Sequence, residues 1–236
     1  MMGGMQRVSP TAYALLGMLS VRSWTGYELT HQLRRSLRFV WPSSEGHLYR
    51  EQKRLIELGW ATLTREPAGM RDRNRYTITP AGRAALRAWL ATEPEEPRIE
   101  IEGLVRMFYG DQGSVEDMLR SIDATRRKSR LMLDALLGFV DEYLEPDGPL
   151  SMLEAGGGAG TSAPTFHGRP QFPERLHVVA LVLQATTGIL AETDQTLGAI
   201  ADEVRRWPST TDTAITPLTR ARLERIRHRF ALTEDT

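Results

Sequence analysis

Apolar positions recur at helical spacing through the first sixty residues and then alternate. Behind Ser9-Pro10-Thr11, a hydroxyl cap followed by proline, come Tyr13, Leu15, Leu16, Met18 and Leu19, which predicts a helix to about Ser20. Thr25-Gly26-Tyr27-Glu28 has the spacing of a capping box and opens a second helix, with Tyr27, Leu29, Leu33 and Leu37 inward and Arg34, Arg35 and Arg38 outward. Pro42-Ser43-Ser44-Glu45 starts a third, whose buried side is Leu48, Leu55 and Leu58 and which Gly59 stops. The period then drops to two. Trp60 to Arg65 and Arg75 to Ile78 read as strands, joined by a loop over 66–74 that carries Pro, Gly and arginines. Thr79-Pro80 caps a fourth helix, from Ala81 to about Ala91. Three short helices, a hairpin and an exit helix make a winged helix-turn-helix. In that arrangement the third helix enters the DNA major groove and the hairpin tip reaches phosphates or the minor groove.

Glu93-Pro94-Glu95-Glu96-Pro97 breaks the pattern and marks a boundary. After a short helix or tight connector over 99–109, Ser114 caps a long helix. Its Val115, Met118, Ile122, Thr125, Ser129, Met132, Leu136, Phe139 and Tyr143 recur at alternating three- and four-residue steps, close to a heptad seam. A Gly-, Ser-, Thr- and Pro-rich stretch, about 146–172, reads as a flexible loop. A second long helix, from about Pro173 to Trp207, carries the seam Leu176, Ala180, Leu183, Thr187, Leu190, Leu197, Ala201 and Val204. Residues 208–236 read as a polar linker and a short basic helix through Leu223, Ile226 and Phe230. Two helices cannot bury full apolar stripes against each other alone, and a second chain would complete a bundle. The expected fold is therefore mainly α with a small β-hairpin. It comprises a winged helix-turn-helix over 1–92, a helical dimerisation and effector domain over 93–207, and a tail.

Composition narrows the class. The 236 residues are 41% hydrophobic and 25% charged, ordinary values for a folded protein. With no cysteine, disulfides, thiol nucleophiles and Cys-based zinc sites are excluded. No apolar run approaches the roughly 20 residues of a membrane span, and Met1 to Pro10 has no signal-peptide pattern; the expectation is a cytoplasmic protein without membrane contact. The net charge of zero hides a split. Residues 1–92 hold 14 basic and 6 acidic residues, a net of +8, and residues 93–236 hold 16 and 24, a net of −8. A basic module joined to an acidic one suits a polyanion-binding domain on a different kind of partner domain.

Candidate chemistry follows. Gly156-Gly157-Gly158-Ala159-Gly160 follows no strand, so it is no phosphate loop, and no nucleophile elbow or third metal ligand stands near His47 and Glu51; neither catalytic residues nor a metal or other cofactor are expected. On the third helix His47, Arg50 and Arg54 fall on one outward stripe with Lys53 and Tyr49 beside it. An arginine there suits a guanine edge, while Lys53, the Ser44 hydroxyl and the helix N-terminus suit phosphates. In the hairpin, Arg71, Arg73 and Arg75 alternate with Asp72 and Asn74 and share one strand face. Trp89, Phe108 and Tyr109 lie near the junction of the two parts, as domain-interface core or as an aromatic ligand site. A module that docks a protein partner through its third helix is the alternative to a DNA-binding one.

These residues resemble the PadR family of transcriptional regulators. Tyr13 to Leu19 followed by Thr25-Gly26-Tyr27-Glu28-Leu29 is similar to its first two helices. Ser44-Glu45-Gly46-His47-Leu48-Tyr49 with Lys53-Arg54-Leu55 and Gly59 is similar to its recognition helix. Arg75 to Arg83 is similar to its wing and exit helix, and the region from Glu100 to Trp207 to the two-helix C-terminal domain of one subgroup. The resemblance implies a homodimeric repressor on a palindromic operator, released by a small aromatic or drug-like ligand. It places DNA contacts on Ser44, Tyr49, Lys53, Arg71, Arg73 and Arg75. Arg50 and Gln52 depart from the proline and leucine the family often has there. The 146–172 loop is longer than the family leads one to expect, and the tail after Trp207 has no counterpart in the resemblance.

Overall fold

In the computed structural model, which describes residues 8–66, 73–156, 165–212 and 215–231, the chain divides into two units, Met1–Arg98 and Ile99–Thr236. The first runs α1 (Pro10–Val21), β1 (Trp24–Thr25), α2 (Gly26–Leu37), α3 (Glu45–Glu57), β2 (Ala61–Glu66), β3 (Arg73–Ile78) and α4 (Pro80–Leu90). Each helix begins at a hydroxyl that accepts from an amide two or three residues inside: Ser9 from Ala12, Thr25 from Glu28, Ser44 from His47 and Thr79 from Gly82. Such a cap contributes about 1 kcal/mol. Gly59, at φ +68°, is the left-handed residue that ends α3.

Leu15, Leu16, Leu19, Leu29, Leu33, Leu48 and Leu55 are fully buried and form the core of this unit, each worth about 1.5–3 kcal/mol. The sheet has three strands in the order β1-β3-β2, one more than the expected hairpin: Trp24 pairs with Tyr76 and Thr25 with Arg75. A two-residue strand is too short to show alternation. It is held by Trp24, buried, whose Nε1 donates to the Met18 carbonyl at 2.9 Å. Two expected core residues are outside. Tyr27 is exposed over the His31 ring, and Leu58 lies in the turn beyond α3.

The second unit runs α5 (Glu102–Phe108), α6 (Val115–Leu144), α7 (Pro149–Glu154), β4 (Thr165–Phe166), β5 (Arg169–Pro170), α8 (Leu176–Val204) and α9 (Thr216–Ala231). The stretch read as a flexible loop thus contains a helix and a small hairpin, turned by His167 and Gly168 at φ 50° and 69°. Its residues 157–164 lie outside the described ones. The elements are too short for periodicity to register against a Gly- and Pro-rich background.

Helices α6 and α8 pack along the expected seam. Met118 and Ile122 cluster with Leu197, Ala201 and Val204, and Ser129 and Leu136 are buried further along α6. Between Leu190 and Leu197 the α8 seam holds Asp194, which accepts from Arg126 Nε at 3.1 Å and Arg130 Nε at 3.0 Å. Burial would raise the Asp194 carboxyl, but the two guanidinium groups outweigh it and hold it below its ordinary value.

The opposite face of α8 is open. Val178, Leu181, Val182 and Ile189 are all exposed and fall on one helical stripe. By length and composition Pro173–Val204 is apolar enough to span a membrane, contrary to the sequence count. From 177 to 191 there is no Asp, Glu, Lys or Arg, and the interspersed Gln and Thr residues disguise the run. Helix α9 lies along the C-terminal half of α8, with Arg222 2.6 Å from Glu203 and Arg229 3.2 Å from Glu192.

Candidate nucleic-acid interface

Helix α3 buries Leu48, Glu51, Gln52 and Leu55 and turns Tyr49, Arg50 and Lys53 outward. Its seat is partly polar. Gln52 is 0% exposed, and its Nε2 donates to the Gly26 carbonyl at 3.1 Å and to Thr30 Oγ1 at 2.8 Å, tying α3 to the first turns of α2. Its Oε1 is buried without a hydrogen-bond partner among the described residues. The departure from leucine therefore both finds partners and leaves one acceptor unmet. A Cβ on Gly26 would sit 2.9 Å from that oxygen, so glycine lets α2 and α3 approach here.

The outward face differs in detail from the expected stripe. Arg50 and Lys53 are exposed and have no ion-pair or hydrogen-bond partner among the described residues. His47 and Arg54 stand at the margin, half-buried. Glu51 is buried and is not part of the outer face. Glu45 pairs with Arg34 of α2, which removes one acid and one base from competition together. The Ser44 hydroxyl caps α3 by accepting from His47 N at 3.3 Å, and its own hydrogen stays available to a phosphate oxygen.

At the wing, Arg73 is exposed. Arg75 is partly committed: its guanidinium donates to the Ser23 carbonyl at 3.2 Å and stands 4.0 Å from the Glu28 carboxylate. Burial would raise Glu28, but the Thr25 amide and hydroxyl, then Arg75 and Arg22, hold it below its ordinary value. Arg75 thus braces the turn into α2, a role that spacing could not reveal. Arg71 lies outside the described residues. Burial, with the Tyr49 phenol nearby, raises the Tyr76 hydroxyl above its ordinary value, so it stays a neutral group behind the recognition helix.

Of the three aromatic candidates, Trp89 belongs to the first unit and Phe108 and Tyr109 to the second. Trp89 stacks on Tyr13 at 4.9 Å and 3°, within the winged-helix unit, and Tyr13 also meets Trp60 at 5.6 Å. Phe108 and Tyr109 meet edge to face at 5.0 Å at the end of α5, both exposed.

Comparison with known proteins places this geometry. Residues 15–88 match the model of the transcriptional regulator PadR-like family. The negative transcriptional regulator PadR of Bacillus subtilis (strain 168) is 23% identical over 141 residues, 59% of this chain and 78% of that protein. The crystal structure of Bacillus subtilis PadR in complex with operator DNA superposes with a TM-score of 0.63 at 19% identity, covering 82% of this chain and 98% of that one. The same protein in complex with p-coumaric acid gives 0.59 at 21% identity, covering 85% and 100%. At these identities the structural likeness speaks for the fold, and the matched segment contains α2, α3, the wing and nearly all of α4. Residues 15–88 of the chain are thus similar to the transcriptional regulator PadR-like family.

Proposed function

We propose that this protein is a repressor that binds a palindromic operator as a homodimer and works in the cytoplasm. The observation that carries the reading is the outer face of α3: Tyr49, Arg50 and Lys53 exposed, with Arg50 and Lys53 uncommitted, on a helix capped by Ser44 and seated on α2 through Gln52. Arg50 is suited to a guanine edge by a bidentate pair, and Lys53, Ser44 and Tyr49 to phosphates. His47 and Arg54 flank that face, and Arg73, with Arg71 and the partly committed Arg75, supplies the wing contact. Two such helices, one per subunit, would read half-sites about one helical turn apart.

The homodimer is supported by the open stripe Val178, Leu181, Val182 and Ile189 on α8, with Leu181 65% and Ile189 69% exposed. A contiguous apolar face of this kind is what an obligate partner covers. A small aromatic effector fits the exposed rings: Trp89 on Tyr13, and the Phe108–Tyr109 pair. The effector would act by binding one placement of the two winged helices better than another, and its differential affinity sets how far operator binding shifts. One relative is called a negative regulator and has been crystallised with operator DNA and with p-coumaric acid; the present reading extends that chemistry to this chain.

The test is fluorescence anisotropy on DNA from upstream of the protein's own gene, over a salt series, with scrambled DNA and a Tyr49→Ala, Lys53→Ala double variant as controls. Tight, salt-sensitive binding that exceeds the scrambled DNA and is lost in the variant supports the reading. If selection from random DNA also returns no preferred sequence, the operator reading fails and the winged helix serves a protein partner.

A further inference from the structure

Helix α9 is tied to α8 by charge. It carries five arginines and one glutamate in 16 residues. The edge held on α8 is the basic one, through Arg222–Glu203 and Arg229–Glu192. Leu223, 61% exposed, and Ile226, 50% exposed, lie beside that edge and are left open. Arg220, Arg225 and Arg227 are exposed and have no ion-pair partner among the described residues.

The place where it docks matters. Counting around α8 at 100° per residue, Glu192 and Glu203 fall on the same stripe as Val178, Leu181, Val182 and Ile189. One continuous face of α8 is therefore apolar and open in its N-terminal half, and in its C-terminal half carries Glu192 and Glu203, which hold α9 through two ion pairs. The Arg229 end of α9 reaches Glu192, three residues from exposed Ile189. Whatever sits on the open half abuts α9.

We propose that α9 is an intersubunit clamp: held on its own α8 by the two ion pairs, it lays Leu223 and Ile226 on the second copy of the chain that occupies the open α8 stripe. The proposal rests on the homodimer reading above. Charge selects this occupant. Residues 99–215 hold 10 basic against 18 acidic residues, a net of −8, while α9 carries +4. The second copy thus offers acids to Arg220 and Arg227, beside Leu223 on α9, of the kind that already hold Arg222 and Arg229 in the same chain. A DNA phosphate is the other anion to consider, but the bundle beneath α9 is acidic and would repel the duplex. An apolar stripe also adds nothing to a phosphate contact.

Sedimentation equilibrium on the full chain, at protein concentrations from nanomolar to micromolar, tests this with two surface variants. Leu223→Glu with Ile226→Glu should raise the dimer dissociation constant at least tenfold. Helical content should be unchanged, and operator affinity retained when measured at concentrations where the variant is dimeric. Leu181→Glu with Ile189→Glu should abolish the dimer. A dimer constant in the α9 variant within twofold of the unaltered chain overturns the clamp, even if the α8 variant is monomeric. If the α9 variant instead loses DNA affinity at an unchanged dimer constant, α9 is a DNA arm and the clamp is again refuted. An unaltered chain that is monomeric throughout overturns the homodimer reading and the clamp with it.

Discussion

Replacing Gln52 by leucine should leave the protein about as stable as it is, although it removes two buried hydrogen bonds. The bonds to the Gly26 carbonyl and Thr30 Oγ1 contribute about 0.5–1.5 kcal/mol each net, so about 1–3 kcal/mol is lost with them. Against this, the unmatched Oε1 disappears, and an unmet buried acceptor costs about 1–3 kcal/mol. Thr30 need not be orphaned in turn, because its hydroxyl stands four residues after Gly26 and can donate to that carbonyl within α2. Leucine also fills most of the vacated volume with apolar atoms. The two sides cancel to within about 1 kcal/mol. Gln52→Ala removes the same polar atoms without refilling the space between α2 and α3, and large-to-small changes in a core cost about 2–5 kcal/mol. Equilibrium urea unfolding of the full chain at one fixed protein concentration, followed by far-UV circular dichroism, measures both. The alanine variant should unfold at clearly lower urea than the leucine variant with the same slope. If leucine proves as costly as alanine, more than about 2 kcal/mol, then the hydrogen bonds and not the filled volume hold α3 on α2, and the reasoning is wrong.

Further outcomes follow from the structure. Lys53→Ala should flatten the dependence of log affinity on log salt by about 0.9 for each subunit bound. Arg75→Ala, whose guanidinium is tied to the Ser23 carbonyl, should change that slope less and lower the thermal midpoint instead. Gly82→Ala should cost more than about 2 kcal/mol by chemical denaturation, because the new Cβ would lie 2.1 Å from the Trp60 carbonyl oxygen, which is backbone and cannot swing aside. Gly17→Ala, with no heavy atom within 4 Å of its Cβ position, should stabilise α1 by about 1 kcal/mol. Asp194, held below the ordinary carboxylate value by Arg126 and Arg130, contributes stability above its unfolded value of about 3.9 and loses it as pH falls through its lower folded value. Asp194→Asn should therefore unfold more easily at pH 7 by about 1 kcal/mol, and thermal melts should show the difference shrinking below about pH 4.

The winged helix was legible because each of its helices announces itself twice, by a hydroxyl cap and by apolar spacing. Ser9, Thr25, Ser44 and Thr79 all cap in the structure as their neighbours predicted. What escaped was set by tertiary context. Strand β1 has two residues and exists because Trp24 is pinned by the Met18 carbonyl. Tyr27 looks like core by spacing, yet at 72% exposure it is surface, because Leu29 and Leu33 already fill the space beneath α2. Arg75 shares a strand face with Arg73, but the two differ in use, since only Arg75 reaches the Ser23 carbonyl and the Glu28 carboxylate. Glu51, between outward Arg50 and buried Gln52, is itself buried, which its charge alone does not predict.

Helix α8 shows why one sequence can imply a seam and still leave the partner unnamed. Periodicity reports that a residue avoids water, not which surface shields it. Leu197, Ala201 and Val204 are shielded by α6 of the same chain, and the sequence pattern was sufficient for them because both halves of that seam lie in one molecule. Val178, Leu181, Val182 and Ile189 satisfy the same periodicity on the other side of the helix and nothing described in the chain covers them. Their hydropathy alone is that of a membrane span. Two features of the structure argue for protein instead of lipid. The stripe is interrupted within the same helix by Glu192 and Glu203, which hold α9 by ion pairs, and carboxylates on that face would be costly in hydrocarbon. The opposite face is committed to α6 through Asp194 and two arginines, so the whole helix cannot be surrounded by lipid without stranding three charged groups. A face that is apolar for half its length and carries carboxylates in the rest is suited to cover by protein.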